Sequence, residues 1–147
     1  MTCMPRLIRI LIAMLPLTLV LNGALAAADQ PVRSPADDRA YESLTLGNGL
    51  RVLLVSDPDT DMAAAALNVG VGYYDDPAGR PGLAHFLEHM LFLGTEKYPE
   101  PDAYREFITR HGGRINATTG AEHTVYFFDI AHQHLEGALD RFAQFFV

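Results

Sequence analysis

Gly82-Leu83-Ala84-His85-Phe86-Leu87-Glu88-His89-Met90-Leu91-Phe92-Leu93-Gly94 is the stretch on which the reading of this sequence turns. Leu83 to Leu93 is rich in good helix formers, and Gly94 suits the residue just past a helix end. The pattern therefore predicts a short helix over 83–93. At 3.6 residues per turn, His85 and His89 lie on one face, four apart. Glu88 falls to the other side of His85, so the three polar side chains span about 100° of arc. Apart from Ala84, the other residues from Leu83 to Leu93 are large and apolar. Such a helix is expected to be buried almost all round, with two imidazoles and a carboxylate projecting from one edge.

Unpaired polar groups in that setting would be costly. They either pair within a core or serve a metal, and two histidines at i, i+4 with a glutamate between them favour the metal. Two neutral imidazoles suit zinc, and a zinc-bound water is acidified enough for a neighbouring carboxylate to take its proton. His85 and His89 are thus the expected zinc ligands, and Glu88 the general base. The order His-x-x-Glu-His is the inverse of the commoner His-Glu-x-x-His zinc motif. A catalytic zinc takes three protein ligands. His111, Glu122-His123, His132 and His134 are the other donors nearby in sequence, and each reads better as a capping group, a surface group or a support behind the ligands than as the missing ligand.

Upstream, Gly47-Asn48-Gly49 separates Ser43–Leu46 from Leu50–Val55, a hairpin signal. Met62 to Val71, small and apolar, predicts a buried central strand. A second helix is expected over about 102–111, between Pro101 and Gly112-Gly113. Arg114–Thr119 and Thr124–Ile130 predict two more strands. From His132 onward, Leu135, Ala138, Leu139, Phe142, Phe145 and Phe146 share one helical face. That helix reaches Val147 without a cap and with its apolar face still running, so the chain is expected to be cut off there. The fold class is α+β: helices packed on a mostly antiparallel sheet.

The amino terminus differs from the rest. Arg6 and Arg9 precede the apolar run Ile10–Val20, and Ala24-Leu25-Ala26 offers a cleavage site. The run is short for a membrane span and contains Pro16. Residues 1–26 are expected to be a cleaved export signal, an uncleaved anchor being the other reading. Residues 27–40, polar and with two prolines, form a flexible lead-in, and 41–147 the folded part. The net charge is -7, and loss of Arg6 and Arg9 makes it -9. With Lys97 as its one lysine, the chain has no electrostatic footprint for nucleic acid or an anionic membrane surface. Its one cysteine, Cys3, lies in the signal, which excludes disulfides and thiolate metal sites from the mature part.

Three blocks carry a family likeness: Gly82–Pro99, Gly112–Thr124 and His134–Phe146. In this order they resemble the pitrilysin/insulysin family of zinc peptidases, and more closely its insulysin–pitrilysin branch than the mitochondrial processing peptidases. The likeness runs from about Tyr41 to Val147. It implies a zinc-dependent endopeptidase acting on peptides, with His85 and His89 as ligands and Glu88 as base. It also implies that Asn116 and Ala117 lie on an edge strand that receives an extended peptide, with Phe92 as an apolar wall. The third zinc ligand, a glutamate, is then expected downstream of Val147. The chain would be the amino-terminal part of a pitrilysin-like catalytic domain and, taken alone, an inactive fragment. The rival reading is a non-catalytic module with the same fold that binds peptides or partners. The signal, the cysteine-free mature part and the family branch together point to the bacterial periplasm, with no stable membrane association after cleavage.

Overall fold

A computed structural model describes residues 31–147 of the chain. The expected signal over 1–26 and the start of the lead-in lie outside the described residues. Two compact units divide at Asp57 and Pro58. Among the described residues no helix is long and apolar enough to cross a membrane.

The first unit is a hairpin of β1 (Ala40–Thr45) and β2 (Arg51–Ser56), antiparallel, with Leu44 opposite Val52. Its loop is closed by Gly49 N–H donating to Leu46 O at 2.9 Å and Leu46 N–H to Leu50 O at 2.8 Å. Only Gly49 takes a positive φ, 85°. The turn is therefore the three-residue kind, in which one left-handed residue follows an ordinary turn. Ahead of it, the Asp37 carboxylate accepts hydrogen bonds from Arg39 and from the Tyr41 hydroxyl.

The second unit is a three-stranded antiparallel sheet with helices on one face. Its strands are β3 (Met62–Val69), β4 (Arg114–Thr119) and β5 (Thr124–Ala131), in the order β3-β5-β4. Over the sheet lie α1 (Leu83–Leu91), α2 (Ala103–Arg110) and α3 (Leu135–Ala143). The α+β class and the antiparallel pairing agree with the sequence reading.

Three details differ. The segment expected as a buried central strand is the edge strand β3, exposed at every second residue. Its alanines made it look two-sidedly buried, but only the face carrying Ala65, Leu67 and Val69 meets the core. The central position goes to β5, whose Tyr126, Phe128 and Ile130 are buried while Phe127 on the other face is 40% exposed. Second, α1 is not buried all round: Glu88 is its one buried residue, and Leu83, Phe86, Leu87 and Met90 are exposed. Third, α1 stops at Leu91, and His132–His134 form a separate 3-10 turn before α3.

The core joins β4 and β5 to the helices through Tyr104 and Ile108 of α2, Ala138 and Phe142 of α3, and Phe145. Phe128 packs edge-on against Tyr104 and Phe142, with ring centres 6.3 and 5.4 Å away. Edge-to-face contacts of this kind add to the burial of the rings themselves.

Candidate metal centre

The first turn of α1 has no neighbouring residue to cap it. Gly82, at the N-cap, is left-handed with φ 87° and has no side chain to offer. The cap comes instead from Asp76, six residues earlier. Its Oδ2 accepts from Gly82 N–H at 2.5 Å and its Oδ1 from Ala84 N–H at 2.9 Å. Free amides at a helix start need acceptors, and an anion there is favoured by the helix dipole. Asp76 follows the 3-10 turn Tyr73–Asp75, which is itself fastened to the β4–β5 connection. Tyr73 N–H donates to Gly120 O at 3.0 Å and Tyr74 N–H to Ala121 O at 2.9 Å. Gly72 permits this approach, because a Cβ there would lie 2.4 Å from Gly120 O. The helix start and the end of the β4–β5 hairpin are thus tied together.

On α1 the predicted trio converges. His85 Nε2 and His89 Nε2 are 3.0 Å apart, and one donor atom from each of His85, Glu88 and His89 lies within 4.8 Å of the others. Two nitrogens at ~2.0–2.1 Å from one zinc, at a tetrahedral angle, would be about 3.3 Å apart. The observed separation is within a few tenths of an ångström of that, so the donor set fits zinc without rearrangement of the helix. Both imidazoles are exposed, whereas Glu88 is buried at 6% exposure. Tyr73 stands edge-on to His85, with ring centres 6.3 Å apart.

Glu88 points toward the sheet. Its Oε2 accepts a hydrogen bond of 2.5 Å from the Thr119 hydroxyl at the end of β4. The Thr124 hydroxyl lies 3.4 Å from that of Thr119 and donates to Val71 O at 2.9 Å. Tyr126 lies beneath: burial first, and the nearby Glu88 carboxylate second, push its phenol above the ordinary tyrosine value.

The other predicted positions fall as follows. Asn116 is exposed on β4 opposite Phe127, and Ala117 is half-buried opposite Tyr126. Among the described residues β4 pairs with β5 alone, so its other backbone edge is open. Phe92, the C-cap residue of α1, packs edge-on against Phe145 at 5.4 Å and tilted against Tyr126 at 6.5 Å. It thus braces the aromatic cluster under the helix. His111 closes α2 with Nδ1 2.7 Å from Phe107 O, and its ring stacks on His134 at 3.7 Å. His123 lies in the β4–β5 connection, where its carbonyl accepts from Gly120 N–H. None of these joins the trio, which is the one metal-type cluster among the described residues.

Residues 51–147 match the insulinase family, peptidase family M16. The chain belongs to that family. Within it, the chain is 59% identical over 119 residues to mouse insulin-degrading enzyme, covering 81% of this chain and 12% of that protein. It is 51% identical over 110 residues to the A-factor-processing enzyme of Saccharomyces cerevisiae, covering 75% of this chain and 11% of the other. Among solved insulinase-like folds, pitrilysin superposes with a TM-score of 0.75 at 42% identity, covering 78% of this chain and 12% of that one. A Helicobacter pylori protease gives a TM-score of 0.65 at 32% identity, covering 73% and 25% respectively. The chain therefore spans only about an eighth of the length of the M16 relatives first matched.

Asp76, Thr119 and Thr124 escaped the sequence reading. Thr119 had a signal: strand alternation puts it on the face of Ile115 and Ala117, a polar residue ending an apolar row. Asp76 had none, since caps are sought beside the helix they serve.

Proposed function

We propose that this chain contributes the zinc-binding helix of an M16 metalloendopeptidase. The observation that carries the reading is the convergence of the His85 and His89 Nε2 atoms beside a buried glutamate. His85 and His89 would hold the metal through those nitrogens, and a glutamate beyond Val147 would complete the set. Zinc bound there would supply a Lewis acid that acidifies water and polarises a peptide carbonyl. Glu88, held through Oε2, would accept the proton of the attacking water on its other oxygen and deliver it to the leaving amine. The open edge of β4 at Asn116 and Ala117 would take an extended peptide by main-chain hydrogen bonding, which reads side chains loosely. Phe92 would support this site from below. The amino-terminal sequence supports export, to a bacterial periplasm.

The test is Glu88→Gln in the full-length protein. The variant is expected to retain the parent's zinc content and to lose peptide turnover by about 10²–10⁴-fold, the usual worth of a positioned base. Equal turnover in variant and parent would remove Glu88 from the mechanism. Zinc binding without turnover in the parent would leave the non-catalytic peptide-binding module.

A further inference from the structure

We propose that Thr119 is the positioning residue for Glu88: its hydroxyl fixes one carboxylate oxygen and leaves the other free to take a proton. The proposal rests on the peptidase reading above, in which Glu88 is the base. Both groups are buried, Glu88 at 6% and Thr119 at 8% exposure, and they meet at 2.5 Å. A hydroxyl donating to a carboxylate at that distance is in the charge-assisted range. An ionised carboxylate can only accept, so the single Thr119 proton is committed to Glu88. The Thr124 hydroxyl, 3.4 Å from that of Thr119, gives its own proton to Val71 O and so does not compete for Glu88.

The anchor is stiff. Thr119 and Thr124 are register partners at the closed end of the β4–β5 hairpin, and Val69 of β3 pairs with Thr124. The connection between them is held by Gly120 N–H donating to His123 O at 2.8 Å. Threonine is restricted at χ1, whereas glutamate has three torsions and several rotamers within reach of the site. Without the hydroxyl, the carboxylate would have to find its catalytic placement by chance among these. Thr119 lies beneath Glu88 and acts through it.

The experiment compares Thr119→Val and Thr119→Ser with the zinc-loaded full-length protein and with Glu88→Gln. Valine keeps the branched shape and removes the hydroxyl. Its kcat is expected to fall about 10–100-fold, the worth of one hydrogen bond to a charged group. KM should stay within about twofold and zinc content should match the parent, since neither zinc ligand is touched. Serine should restore kcat to within about threefold. Parent-like kcat in Thr119→Val, a raised KM alone, or serine no better than valine would each overturn the proposal. If valine does not fold, Thr119→Ala carries the same comparison. A crystal structure of the hydroxyl-less variant reads the same point without turnover: Glu88 should leave its place, and an unmoved carboxylate would refute the role. Absence of turnover in the parent itself would sink the peptidase reading, while the crystallographic comparison would still decide what Thr119 does.

Discussion

Removing the Asp76 carboxylate should loosen the start of α1 and, with it, the turn that carries His85. Asp76 supplies two acceptors to the helix, to Gly82 N–H and Ala84 N–H, from a half-buried position. Loss of an N-cap acceptor costs about 1 kcal/mol. A second amide left without its partner, together with the lost anion at the positive helix end, adds about 1 kcal/mol more. Asp76→Ala should therefore cost about 2 kcal/mol, and Asp76→Asn, which keeps one acceptor oxygen, about 1 kcal/mol. Urea unfolding followed by circular dichroism reads this as a midpoint lowered by about 1 M for alanine, at a slope of ~2 kcal/mol per M. Amide exchange should quicken selectively at Ala84 to Phe86, where the helix frays, and not along β5. A midpoint within about 0.1 M of the parent and unchanged exchange in the first turn would refute the reasoning. In that event Asp76 would be only a loop residue that happens to lie near the helix.

Two further outcomes follow from the packing and charge of the second unit. Phe128 is 1% exposed at the centre of the core, whereas its strand neighbour Phe127 is 40% exposed on the other face. Phe128→Ala should cost about 3–5 kcal/mol in denaturant unfolding and Phe127→Ala less than about 1, and similar costs for the two would contradict the one-sided sheet. Lys97 first, and the Tyr98 hydroxyl second, hold the Asp140 carboxyl below its ordinary value of 3.8. A lowered folded-state value means that its stabilisation is complete above the unfolded value and fades as pH falls through the folded one. Asp140→Asn should therefore lower stability at neutral pH and show a smaller loss on acidification below about pH 4 than the parent. Acid titrations of unfolding that run parallel for the two proteins would exclude the pair as a contributor.

Part of this architecture is legible without any structure. His85, Glu88 and His89 share a helical face by spacing alone, and periodicity of 3.6 against 2.0 separates the helices from β4 and β5. These features are local, because the backbone's own geometry projects the side chains. The hairpin before β2 was legible too, although only Gly49 uses the left-handed conformation that Asn48 also tolerates. The order of the strands was not. An alanine-rich run such as 62–69 is compatible with either position in a sheet, and only its pairing to β5 on a single side makes it an edge. The exposure of Phe86, Leu87 and Met90 likewise depends on which flank of α1 meets the sheet. The sequence by itself determined which three side chains approach one another and what chemistry they share. The tertiary structure alone decided how they are held: Glu88 by Thr119, 31 residues away, and the helix start by Asp76 from across a loop. Those bonds join groups that no local spacing relates, so they exist only once the strands have paired and the helix has docked.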